Sequence, residues 1–120
     1  MKKLGVAVIG TGFWGKNHAR VYNELESTNL VAICDVNAER AKLIADQFGV
    51  KAYTDSALML KDPEIEAISV CTWSIKLAEE ALKGLKAGKH VLVEKPMATT
   101  TEEEQLISRQ MLMQALKERM

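Results

Sequence analysis

Cysteine and proline each occur only twice, aromatic residues make up 5% of the chain, and 16 basic residues balance 16 acidic ones to a net charge of zero. Each shortage excludes something. Two cysteines do not make a disulfide framework, and Cys34 and Cys71 lack the spacing of metal ligands. A chain without net charge has no electrostatic attraction for nucleic acid or an anionic membrane surface, so neither is expected as a partner. The wholly apolar runs are only a few residues long, too short to span a membrane. Met1-Lys2-Lys3 leads directly into a strand pattern rather than a signal-peptide core, and the expected location is the cytoplasm. Internal repeats and low-complexity linkers are lacking too.

What remains is ordinary for a globular domain: 120 residues, 48% apolar and 27% charged. That length suits one domain with a real core but is small for a complete two-domain enzyme. The stretch that organises the rest is Val6-Ala7-Val8-Ile9-Gly10-Thr11-Gly12-Phe13-Trp14-Gly15, an apolar run that ends in three glycines and opens a helical pattern. It reads as strand, phosphate-binding turn and helix N-terminus. Gly10 makes the turn, Gly12 lets the backbone approach a pyrophosphate, and Gly15 lets the helix pack on the strand. An anion there meets free N–H groups at the positive end of the helix dipole. Thr11, Phe13 and Trp14 share the turn and join the glycines as candidate cofactor contacts. Glycine clusters also make ordinary turns, so this stretch alone leaves both readings open.

A second apolar run, Leu30-Val31-Ala32-Ile33-Cys34, ends at Asp35, 20 residues after Gly15. An acid at about that distance accepts hydrogen bonds from the adenosine ribose hydroxyls of a bound dinucleotide. Asp35 could equally cap the following helix. With strand, glycines, helix, strand and acid in register, the cofactor reading is favoured. Asp35 occupies the place of a 2′-phosphate, and Arg40 is the only nearby cation to neutralise one, so NAD is expected in preference to NADP.

The periodicity predicts a first helix over residues 13–26, with Trp14, Ala19, Val21, Tyr22 and Leu25 covering the sheet. His18, within it, is read as a surface or packing histidine. A second helix over 38–48 stops at Gly49, followed by a third strand over 50–53 and a short helix, capped by Asp55 or Ser56, that runs to about 61. Asp62-Pro63 breaks it. Residues 67–71 form the fourth strand, 75–87 a helix ended by Gly88, and 90–94 the fifth strand. Strands alternating with helices give right-handed βαβ units, and the predicted fold is an α/β, doubly wound Rossmann sheet of about five parallel strands. If the strands ending in Cys34 and Cys71 flank the first strand, they lie two strand spacings, about 9.6 Å, apart, beyond the roughly 7 Å limit between the Cα atoms of a disulfide.

The second chemical signal closes the fifth strand: Ala87-Gly88-Lys89-His90-Val91-Leu92-Val93-Glu94-Lys95-Pro96. Ligands of an open parallel sheet bind beyond the carboxyl ends of its strands, which puts Glu94 and Lys95 on the rim that carries the glycine turn. A lysine there can hold a substrate hydroxyl and take its proton, with a pKa lowered by desolvation. A solvated ion pair is the competing account.

Taken together, the glycine turn, Asp35, the Cys71-Thr72 strand end and the run closing in Glu94-Lys95-Pro96 resemble the N-terminal domain of the Gfo/Idh/MocA family, named for glucose-fructose oxidoreductase and inositol dehydrogenase. The resemblance covers about residues 2–100. It implies an NAD(P)-dependent oxidoreductase acting on a sugar, cyclitol or nucleotide-sugar hydroxyl. By carry-over Gly10, Gly12 and Gly15 hold the pyrophosphate, Asp35 the adenosine ribose, and Thr72 and Trp73 line the nicotinamide side. Glu94 and Lys95 belong to the Glu-Lys-Pro motif, in which the lysine is catalytic. Two positions depart from the pattern: Trp73 stands where the family commonly has proline, and Leu77 where it has histidine. Both bear on substrate preference more than on cofactor binding.

Residues 1–100 are thus expected to form the dinucleotide-binding domain, and 101–120 a C-terminal helix at the start of a connection to a substrate domain that this sequence does not contain. The 120 residues alone should bind cofactor without turnover. Thr100 or Thr101 with Glu103 or Glu104 makes a capping box. Leu106, Ile107, Met111, Leu112, Met113, Leu116 and Met120 then point nearly all round the helix. That surplus of apolar surface predicts a homo-oligomer paired through this helix. A reading from another class is a non-catalytic dinucleotide-binding or interaction module.

Overall fold

The computed structural model describes residues 3–72 and 74–93, without the side chains at positions 13, 14, 74 and 75. Trp73, Glu94, Lys95 and the C-terminal stretch 101–120 lie outside the described residues, as do the side chains of Phe13 and Trp14. The elements alternate: β1 Leu4–Ile9, α1 Phe13–Glu24, β2 Thr28–Cys34, α2 Ala38–Phe48, β3 Lys51–Tyr53, α3 Ser56–Met59, β4 Ala67–Val70, α4 Ser74–Lys86 and β5 His90–Val93. The strands form one sheet in the order β3-β2-β1-β4-β5, every pair parallel. This is the doubly wound Rossmann arrangement that the alternation predicts.

Successive side chains of a strand point to opposite faces, and β1 at the centre is buried on both. Ala7 and Ile9 face α3 and α4, where Met59, Ile65, Ile68, Val70, Leu77 and Ala81 complete one core layer. Val6 and Val8 face α1 and α2, where Ala19, Leu30, Ile33, Ile44 and Ala45 complete the other. The β1–β2 register slips by one residue between Val6 and Ala7, skipping Val31. Two contacts at the start of β1 explain a glycine that no motif singles out. A Cβ on Gly5 would sit 1.8 Å from the Glu64 carbonyl oxygen, and the Gly5 N–H donates to the Glu66 carboxylate at 2.9 Å.

Several boundaries differ from the expected ones. Helix α1 ends at Glu24 because Leu25 turns extended, and Val21 and Leu25 face solvent at 40% and 45% exposure. The sheet-facing stripe is Gly15, Ala19 and Tyr22, at helical spacing; Val21 lies about 200° round the helix from Ala19. Strand β3 starts at Lys51 because the Val50 N–H is used to close α2, donating to the Ala45 carbonyl at 3.0 Å beside left-handed Gly49. Helix α3 is capped by the Asp55 carboxylate and stops at Met59, ahead of the Asp62-Pro63 turn rather than at it. On α4, Leu77 and Ala81 are buried, whereas Leu82 is 37% exposed.

Candidate functional site

Strand order reverses between β1 and β4, and the crevice beyond their carboxyl ends is where an open α/β sheet binds ligands. The glycine turn sits at its mouth. Gly10 has φ +92°, its N–H donates to the Cys34 carbonyl at 2.8 Å, and a Cβ on it would lie 2.8 Å from the Cys71 backbone. Only glycine combines that dihedral with that approach. A Cβ on Gly15 would meet the Gly10 oxygen at 1.7 Å, so α1 packs onto the turn without space for a methyl group. Gly12 is different: no described residue lies within 4 Å of its would-be Cβ. It is the N-cap of α1, no side chain caps the helix there, and the first turn holds no acid. The N-terminus of α1 therefore carries neither a side-chain cap at Gly12 nor an acid in its first turn, as suits an anion site.

The threonine beside that helix end is committed elsewhere. The Thr11 N–H and hydroxyl both donate to Asp35 Oδ2, at 3.0 and 2.6 Å, while Asp35 Oδ1 accepts from the Asn37 N–H at 2.9 Å. Arg40 approaches Oδ2 at 3.9 Å. Burial by itself pushes the Asp35 carboxyl up; the hydrogen bonds from Thr11 and Asn37 and the Arg40 charge outweigh it and hold the group below the usual carboxylate range. A carboxylate offers about four acceptor positions. Three are filled, and the one left on Oδ1 suits a ribose hydroxyl. Asn37 rather than Asp35 caps α2, its side chain accepting from the Arg40 N–H.

Across the crevice, the Cys71 N–H extends the sheet by donating to the Ile9 carbonyl at 2.8 Å. Thr72 follows, its hydroxyl buried and without a hydrogen-bond partner among the described residues. Cys34 is a buried free thiol, pushed up to about 12 by burial and by the nearby Glu80, Asp35 and Asp55 carboxylates. It is a packing residue. Cys71 is half-buried and in no disulfide. His18 is half-buried too, its Nδ1 3.1 Å from the Ser69 hydroxyl.

The structure thus brings Gly10, Thr11, Gly12, Gly15, Asp35 and Thr72 to one rim; Trp73, Glu94 and Lys95 lie outside the described residues. Thr11 as the anchor of Asp35 carries no short-range sequence signal, since the two stand 24 positions apart, whereas Arg40, a turn beyond Asp35, was legible as its nearby cation. An uncapped helix end, a Gly12 clear of the described residues, an acid with one free acceptor position and an unpartnered hydroxyl across the crevice fit a dinucleotide. Among the described residues no cluster of three or more potential ligands could hold a metal, and no helix is long and apolar enough to cross a membrane.

Fold and site together define a dinucleotide-binding Rossmann domain. The model of the Gfo/Idh/MocA oxidoreductase family, NAD-binding Rossmann fold, matches residues 4–116, and the chain belongs to that family. An inositol 2-dehydrogenase of Pseudomonas syringae pv. syringae is 38% identical over 102 residues, which are 82% of this chain and 30% of that protein. Among solved structures, GenD2 from gentamicin A biosynthesis in complex with NAD superposes with TM-score 0.86 at 28% identity, over 96% of this chain and 33% of that one. A variant of the 3-ketoreductase KijD10 from Actinomadura kijaniata, in complex with TDP-benzene and NADP, superposes with TM-score 0.80 at 24% identity, over 97% of this chain and 36% of that one, a likeness of fold alone. The chain therefore spans about 30% of the length of the curated relatives it matches. With NAD in one neighbour and NADP in another, the fold defines a nicotinamide dinucleotide site without choosing between them.

Proposed function

We propose that this domain binds NAD in preference to NADP and serves an oxidoreductase that, in the cytoplasm, transfers hydride between NAD and a hydroxyl-bearing carbon of a cyclitol, sugar or nucleotide sugar. The observation that carries the cofactor preference is the carboxylate of Asp35, kept ionised by Thr11 and Asn37 at the end of β2. It accepts from ribose hydroxyls and repels a 2′-phosphate, and Arg40 is already drawn to it. The substrate class is supported by the inositol 2-dehydrogenase among the relatives. When bound, the nicotinamide supplies the hydride acceptor. Lys95 would take the hydroxyl proton as the carbon gives up its hydride, leaving a carbonyl. Glu94, Trp73 and Thr72 complete the nicotinamide side.

Calorimetric titration of both dinucleotides tests the preference: tighter NADP would overturn it. In the assembled enzyme, Lys95→Ala should abolish turnover of an inositol or sugar panel while leaving NAD affinity within a few-fold. We further propose that residues 1–100 are the cofactor domain and that the apolar stretch 101–120 pairs two copies. Light scattering should give a dimer mass that Leu112→Glu with Leu116→Glu reduces to the monomer; a monomeric intact chain would end that proposal.

A further inference from the structure

The sheet face under α1 holds one polar residue where the pattern calls for an apolar one. Ser69, in the middle of β4, has no exposed surface. A hydroxyl so placed is costly unless satisfied, and α1 supplies both partners: His18 Nδ1 at 3.1 Å and the Tyr22 hydroxyl in close contact. The two rings stand edge to face, 6.2 Å between centroids. Either direction of donation satisfies the chain. Tyr22 donates to Ser69 and Ser69 to Nδ1, or the Nδ1 proton is donated to Ser69 and Ser69 donates to Tyr22.

Among the described side chains of α1, apolar packing on the sheet is thin. Of these only Ala19 belongs to the buried layer, with Tyr22 packed against it, and Val21 and Leu25 face water. Apolar contacts tolerate small slides and rolls of a helix; directional hydrogen bonds to a fixed strand do not. The two elements they join carry the two halves of the crevice. Helix α1 begins at the uncapped Gly12 end, and β4 passes through Ser69 and ends at Val70, with Cys71 and Thr72 directly after it. We propose that His18, Ser69 and Tyr22 are positioning residues for the cofactor, locking the roll and height of α1 on β4 and so setting the span from the pyrophosphate site to the nicotinamide side. This rests on the domain binding NAD at that crevice.

The test compares NAD, which spans the crevice, with AMP, which reaches only the glycine turn and Asp35, by calorimetry on the whole chain. Ser69→Ala, Tyr22→Phe and His18→Leu should each weaken NAD by roughly three- to tenfold, with AMP affinity within about twofold of wild type. His18→Asn, whose amide can stand in for Nδ1, should restore most of the NAD affinity lost in His18→Leu. Tyr22→Phe removes one oxygen from a half-buried ring and keeps the comparison valid if the Ser69 variant folds poorly. Unchanged NAD affinity, a parallel loss of AMP, or no rescue by His18→Asn would overturn the inference. A wild-type chain that binds AMP but not NAD would instead remove the NAD reading on which it rests.

Discussion

The two ends of the crevice are built differently. At the β2 end Asp35 is held by Thr11 and Asn37 and faced by Arg40, so this end stands preorganised before any ligand arrives. At the β4 end the Thr72 hydroxyl is buried with no partner among the described residues. One end binds by presenting a finished acceptor, and the other by leaving a donor that a ligand can satisfy. A dinucleotide suits such a site, because its adenosine half anchors and its nicotinamide half has to be free to react.

The largest expected effect separates the shared turn from both ends. Gly15→Ala would place a methyl group 1.7 Å from the Gly10 oxygen and should destabilise the domain by at least about 3 kcal/mol, lowering the melting temperature by more than about 10 °C. The methyl group of Gly12→Ala meets none of the described residues. The substitution should cost under about 1 kcal/mol of stability yet weaken NAD about tenfold or more by blocking the approach of the pyrophosphate. Thermal melts beside titrations read both, and a Gly12 variant as unstable as the Gly15 one would contradict the geometry.

The adenosine end comes next. Asp35→Ala should weaken NAD by roughly 10- to 100-fold, as expected for lost hydrogen bonds to a charged group, and narrow the preference over NADP. A change confined to stability, with both affinities intact, would show that Asp35 only anchors Thr11. The same carboxylate makes stability depend on acid. Its folded pKa lies below the unfolded value of about 3.9. Its contribution is therefore complete above that value and is lost as pH falls through the lower folded pKa. Between pH 6 and pH 3 the wild type should lose more melting temperature than Asp35→Asn, and equal losses would refute this.

The smallest effect belongs to the other end. Thr72→Val removes a buried hydroxyl that has no described partner, so the free chain should be as stable as wild type or up to about 1 kcal/mol more stable. NAD should bind a few-fold more weakly while AMP is unaffected. A marked loss of stability would mean that the hydroxyl is already satisfied, erasing the contrast between the two ends.

Much of this was legible in advance because it is local. The strand and helix order follows from apolar periods of two and 3.6, read within ten residues or so. Gly10 turns the chain at φ +92°, and Gly49 and Gly88 end helices at φ +67° and +78°, conformations that glycine alone adopts readily. Misjudged boundaries fell where a neighbouring element claimed a residue: Val50 closes α2 instead of opening β3. Misjudged faces fell on α1, where the need for Gly15 to touch the turn sets the roll and turns Val21 and Leu25 outward.

The sequence by itself determined the alternation of strands and helices, the glycine turn that ends β1 and the acid that ends β2, since each depends on one residue's allowed conformations or on a short repeating pattern. Only the tertiary structure decided which groups meet. Thr11 anchors Asp35 across 24 positions, Ser69 ties to His18 and Tyr22 across 51 and 47, and Gly5 to Glu66 across 61. A hydrogen bond has a reach of about 3 Å and a preferred direction. Periodicity says which face a side chain occupies but not which distant partner waits there, and that choice belongs to the packing of the whole sheet.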